Sequence, residues 1–181
     1  MKKIGVLVGS LRKGSYNKKV AEFMMSKFPD DFQATMMDIS SLPFYNEDLD
    51  HGNPPQAWTT FRQQIHDMDA FLFVTPEYNR SVPAALKNAL DVASRPYGEN
   101  CWDNKPGGLV SVSVGNIGGF GANHHFRQSM VFLNLHMMAQ PEAYISDITQ
   151  ALDENEQLTN ERTQDYLRKI TESYIDWVRR F

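Results

Sequence analysis

Short apolar runs alternate with helix-period segments along the whole chain, and this alternation limits the available folds more than any other feature. "KIGVLV" (3–8), "AFLFVT" (70–75) and "GLVSVSV" (108–114) read as strands buried on both faces. "FQATMMD" (32–38) reads as a weaker strand and "HMMA" (136–139) as a short fifth one. Between them, apolar residues recur every three or four positions. Val20, Phe23, Met24 and Phe28 share a face in 16–28, as do Trp58, Phe61, Ile65 and Met68 in 57–68. The pattern returns with Leu86, Ala89, Leu90 and Ala93 in 82–94, and with Phe126, Met130 and Leu133 in 122–135. It closes with Leu167, Ile170, Tyr174, Trp177 and Val178 in 160–180. Pro83 suits the first turn of the third helix, with Ser81 as its N-cap. Strands alternating with helices predict an α/β fold: a doubly wound, five-stranded parallel sheet with helices on both faces. At 181 residues, with no linker or repeat, the chain is expected to form one domain over 1–181.

In such sheets a ligand binds beyond the carboxyl ends of the strands, where strand order reverses. The unusual residues should then follow strands one, three and four, and they do. "GSLRKGSYN" follows the first. The first 21 residues carry Lys2, Lys3, Arg12, Lys13, Lys18 and Lys19 and no acid before Glu22, in a chain of net charge -4. Ser10, Ser15 and Asn17 offer short donors and Arg12 a charged fork, at the head of a helix whose free N–H groups favour an anion. The spacing is neither G-x-G-x-x-G nor G-x-x-x-x-G-K-[ST], so a phosphate monoester fits better than a pyrophosphate. "PEYNRS" follows strand three: Tyr78 can lie against a flat ligand, and the N–H groups of Glu77 and Asn79 can meet the edge of a heterocycle. "SVGNIGGFG" (113–121) follows strand four, and its four glycines allow close approach of backbone to ligand. Singly, these loops also read as a capped turn, a core-closing tyrosine and a flexible connection. Together they describe one pocket for a phosphorylated planar cofactor.

The combination resembles the NAD(P)H-dependent FMN reductase family of flavodoxin-like proteins, which includes bacterial quinone, chromate and azo-dye reductases. The resemblance runs from "IGVLVGSLRKGSYN" through "TPEYNRSVPAALKNALDVASRP" to "SVGNIGGFGANHHFRQSMVFL". It implies that Ser10, Arg12, Ser15 and Asn17 hold the FMN phosphate. It implies that Pro76, Glu77, Tyr78 and Asn79 border the isoalloxazine ring, with Ser113, Gly115, Gly118 and Gly119 at its other edge or at the ribityl chain. It further implies NAD(P)H as co-substrate, a small-molecule acceptor such as a quinone, azo compound, metal oxyanion or flavin, and a homodimer or homotetramer. The segment "FYNEDLDHGNPPQ" (44–56) resembles the family's variable loop beside the substrate opening. Two rivals remain at this point: a flavodoxin-type electron carrier and a non-enzymatic flavin-binding regulator.

Other classes recede. The single cysteine, Cys101, excludes an intramolecular disulfide and a thiolate metal cluster. The adjacent His124 and His125 point about 100° apart on a helix, which is poor metal geometry. Asp91 and Arg95, at i and i+4, read as a helix-surface pair. An acidic chain without a basic stripe counts against nucleic acid, and no apolar run approaches the ~18 residues of a membrane span. The apolar run of "MKKIGVLVGS" is too short for a signal peptide and ends at Gly9-Ser10-Leu11-Arg12, so a cytoplasmic location is expected.

Overall fold

The computed structural model describes residues 1–181. Its central sheet is parallel, in the order β2-β1-β3-β4-β5, with β6 also pairing β4. The strands are β1 (Lys2–Val8), β2 (Phe32–Met37), β3 (Ala70–Thr75), β4 (Pro106–Val112), β5 (His136–Met137) and β6 (Ala143–Ile145). The helices are α1 (Tyr16–Met25), α2 (Glu47–Asp50), α3 (Gln56–His66), α4 (Ala84–Ala93), α5 (Phe120–Phe132) and α6 (Glu161–Val178). A 3₁₀ turn covers Ile148–Ala151. No helix is long and apolar enough to cross a membrane.

The continuously apolar strands divide their side chains between two cores. Ile4, Val6, Val8, Leu72, Val74, Val110 and Val112 meet α1 and α6 on one face. Leu7, Phe71, Phe73 and Leu109 meet α3, α4 and α5 on the other. Alternate residues of a strand point to opposite faces, so a strand covered on both sides must be apolar throughout. Gly5 marks a close approach: a Cβ there would lie 2.8 Å from the Phe71 ring. Trp102 fills the second core from the turn before β4. Its indole N–H donates to Leu90 O at 3.1 Å and its ring meets Phe71 edge-on at 4.8 Å.

Three local expectations need correction. The fifth strand position is shared: β5 pairs Pro106 and Gly107, while β6, three residues long, pairs Val110 to Val112. The turn containing Pro141 interrupts the run and hides β6 from periodicity. Ser81 does not cap α4. Pro83 holds that position without a side-chain cap, and Ser81 Oγ meets His125 Nδ1 at 3.0 Å instead. Asp91 pairs with Lys87 at 2.7 Å rather than with Arg95, one helical turn earlier on the same face.

Candidate functional site

The parallel strands end on one edge of the sheet, and the three loops meet there. A Cβ on Gly9 would lie 3.1 Å from Thr75 Oγ1 and 3.2 Å from the Pro76 ring, so the loops after β1 and β3 touch. The loops after β3 and β4 are joined by Glu77. Its side chain is 11% exposed; one oxygen accepts from Ala122 N at 3.0 Å and the other from Arg80 at 3.2 Å. α5 begins at Gly119, which has no side chain to cap it. The Glu77 carboxylate takes over that role from 45 residues away, where the helix dipole favours a negative charge.

The loop after β1 has the least internal hydrogen bonding. None of the backbone N–H groups of residues 10–17 donates to a protein acceptor. The first to do so is Lys18 N, which meets Ser15 Oγ at 3.2 Å as the N-cap bond of α1. Ser15 and Asn17 are buried, and Asn17 Oδ1 has no partner. Ser10 is half-buried; Arg12 is exposed, stacked over the Tyr16 ring at 4.5 Å and bonded to Gly14 O. Arg12 and Lys13 face no carboxylate, whereas Lys18 and Lys19 pair with Glu22 and Glu156. A loop of unpaired donors, a buried amide with unused bonding capacity and two free cations fit a bound anion. Turned about its terminal bond, the Asn17 amide presents NH₂ donors to it.

The loop after β3 is a two-residue hairpin. Tyr78 and Ser81 exchange backbone hydrogen bonds of 3.1 and 3.0 Å around Asn79 and Arg80. Pro76 is buried, Tyr78 is 49% exposed, and the N–H groups of Glu77 and Asn79 are free. In the loop after β4, Gly118 and Gly119 are buried with φ of 64° and 75°. A Cβ on Gly119 would sit 3.0 Å from Ser111 Cβ, so that position needs glycine for both space and conformation. The N–H groups of Gly119 and Gly121 are free. Ser113 and Gly115 belong to the same loop: Ser113 N bonds Ile145 O at 2.8 Å, Ser113 Oγ accepts from Gly115 N at 3.0 Å, and Gly115 O accepts from Gly118 N and Asp147 N at 3.3 Å.

Sequence reasoning missed the support beneath the glycines. Buried Ser111 Oγ donates to Gly118 O at 2.7 Å, and Asn123 Nδ2 reaches Ser111 Oγ and Ala143 O. Arg127 donates to Asn123 Oδ1 and Met138 O, both at 3.0 Å. A polar residue inside an apolar strand, as at Ser111, was the one visible signal. On the rim, the Phe120 ring lies tilted against His124 at 4.1 Å, and His124 Nε2 meets Tyr144 OH at 3.0 Å. Burial raises the Tyr144 phenol above its ordinary pKa. The largest cleft, about 870 Å³, lies elsewhere, between Tyr144–Ala151 and the head of α6. Its lining includes none of the three loops, so size does not mark the site here.

A parallel α/β sheet of flavodoxin type, with its free donors gathered at the carboxyl ends of β1, β3 and β4, defines the class. Residues 2–150 match the family described as NADPH-dependent FMN reductase. The chain is 49% identical over 176 residues to a quinone reductase of Pseudomonas putida, covering 97% of this chain and 94% of that one. It is 46% identical to a 2-hydroxy-1,4-benzoquinone reductase of Burkholderia sp, covering 98% and 96%. Among solved structures, FerB, a flavoenzyme NAD(P)H:(acceptor) oxidoreductase from Paracoccus denitrificans, superposes with a TM-score of 0.91 at 35% identity, covering 99% and 98%. The chain belongs to the NADPH-dependent FMN reductase family and is an FMN-dependent oxidoreductase that draws on NAD(P)H.

Proposed function

We propose that this protein is an NAD(P)H:quinone oxidoreductase working as one domain over 1–181, and that the three loops are its FMN site. The observation that carries this reading is the run of unpaired N–H groups at residues 10–17 beside the partnerless Asn17 amide. Ser10, Arg12, Ser15 and Asn17 would hold the phosphate: the hydroxyls and N–H groups donate, and Arg12 adds a charge-assisted bond. Pro76, Glu77, Tyr78 and Asn79 would border the ring, with the free N–H groups of Glu77 and Asn79 at its polar edge. Ser113, Gly115, Gly118 and Gly119 would approach the opposite edge or the ribityl chain. FMN held by these residues would supply two-electron transfer between NAD(P)H and an acceptor. NAD(P)H, a proton and a quinone thus become NAD(P)⁺ and the quinol. Azo compounds, metal oxyanions and free flavin are further acceptors for the same cleft.

Tyr78, Val114, Ile117 and Phe120 expose apolar surface around these loops. That surface supports a homodimer or homotetramer with the site near a subunit boundary, and sedimentation at micromolar concentration checks it. The reading of function is tested by NAD(P)H oxidation with a quinone. Sustained turnover of the FMN-loaded protein is expected, with parallel initial-rate plots because the two substrates take turns at one ring. A yellow protein that binds FMN yet turns over no quinone would be a carrier or a regulator instead.

A further inference from the structure

The hairpin at 78–81 is not built as a purely structural turn would be. Both central residues have positive φ, 51° at Asn79 and 66° at Arg80. In this mirror-image turn the first central position suits Asn and the second strongly favours Gly. Asn79 follows the rule. Arg80 breaks it, holding a Cβ where glycine would sit without strain. Six non-glycine residues of the chain have positive φ, and four of them are Asn or Asp. Only Arg80 and Glu156 depart from that pattern, and Arg80 alone does so at the candidate site, where its side chain offers little local compensation. It is 72% exposed, and its one polar contact is the 3.2 Å pair with Glu77. With its arginine end in solvent, the pair contributes little to stability. Strain retained at a candidate site is a reason to look for function.

Its position supplies one. A Cβ on Gly121 would lie 2.8 Å from Arg80 O, so the turn sits over the head of α5. Arg80 is two residues beyond Tyr78, on the outer side of the ring-facing loop. Two more basic groups share this rim: His125, bonded to Ser81, and His124, bonded to Tyr144. The one carboxylate in contact here, Glu77, is already bonded to the head of α5.

Resting on the NAD(P)H-dependent reading above, we infer that Arg80 is a specificity-determining residue that binds a phosphate group of the nicotinamide dinucleotide, outside the ring cleft. A guanidinium fork matches phosphate oxygens in two-pronged geometry. The dinucleotide has the charge and the length to reach past Tyr78. A neutral one-ring quinone has neither. Arg80 therefore acts when the reductant binds and is silent when a neutral quinone does.

The test uses FMN-loaded wild type, Arg80→Gln and Arg80→Gly. NADP⁺ is titrated by its perturbation of flavin absorbance, and initial rates are taken with NADPH and a neutral quinone. Both variants should lose about tenfold or more in NADP⁺ affinity and in kcat/KM for NADPH, the scale of one charged hydrogen bond. kcat/KM for the neutral quinone should not change. Added salt should weaken NADP⁺ binding in the wild type and much less in the variants. Arg80→Gly should also melt above wild type, which separates lost binding from lost folding. Unchanged NADP⁺ affinity, equal losses for dinucleotide and neutral quinone, or a loss confined to an acidic quinone would each overturn the inference. If the FMN-loaded wild type oxidises no NAD(P)H, the proposed function fails instead, and the NADP⁺ titration still reports on Arg80.

Discussion

The segments after β1 and β2 leave neighbouring strands at the same edge of the sheet; the first is basic and the second acidic. Residues 10–17 make almost no use of their own donors. Residues 42–50 are fastened from outside. Asn88, buried in α4, accepts from Tyr45 N at 2.8 Å and donates to Pro43 O at 3.0 Å. Trp58 Nε1 also reaches Pro43 O, at 3.0 Å. Arg62 grips Asp50 with two bonds of 2.8 Å and spends its Nε on Val92 O. The two loops thus differ in charge and in how the protein holds them. One is held by the protein, whereas the other leaves its donors without protein partners.

The sharpest way to break this contrast is to cut the fastening. Arg62→Ala leaves the buried Asp50 carboxylate without its cation, with only Tyr45 beside it, and should cost up to roughly 3–5 kcal/mol in denaturant unfolding. Its FMN affinity in the folded state should not change. The same pair sets an acid dependence. The hydrogen bond from Arg62, with its charge, holds the Asp50 carboxyl below its ordinary pKa despite burial. The stabilisation is therefore complete above the unfolded value of about 4 and is lost as pH falls through the lower folded value. The stability gap between wild type and Asp50→Asn should be flat at neutral pH and narrow only in acid. A gap that narrows near neutral pH would contradict the assignment.

Arg12→Ala is the opposite experiment. It should weaken FMN by about 10- to 150-fold, the equivalent of roughly 1.5–3 kcal/mol. The flavin-free protein should unfold within about 0.5 kcal/mol of wild type, as for other exposed substitutions. A large stability loss with intact FMN binding would erase the distinction between the two loops.

A smaller effect tests whether unpaired groups always mean a ligand. Tyr174 OH is fully buried without a partner, like Asn17 Oδ1, but it sits in the core against α1 and far from the loops in sequence. Burial pushes this phenol well above its ordinary pKa. Tyr174→Phe should be neutral or stabilising by up to about 1 kcal/mol, since it removes an unsatisfied hydroxyl without leaving a cavity. FMN binding should not respond.

The same contrast explains what the sequence disclosed. β1, β3 and β4 and their helices were legible because burial on both faces leaves a continuous apolar run. The three loops were legible because Gly, Ser and Asn have few other reasons to crowd at those positions. Hidden features rest on contacts across long sequence separations or on segments too short to show a period. Glu77 caps a helix 45 residues away, and Ser111 supports Gly118 from inside a strand. The four residues of α2 and three of β6 carry no period at all. The turn at Asn79 was also masked, because Arg80 stands where Gly would have announced it.

The central claim is that residues 10–17 keep their donors for a phosphate. Comparing FMN and riboflavin binding to the flavin-free wild type tests it most directly, since the two ligands differ only in that group. Several charge-assisted bonds of about 1.5–3 kcal/mol each predict that FMN binds at least about a hundredfold tighter. Equal affinities for FMN and riboflavin would contradict the claim and leave the open loop after β1 without a ligand.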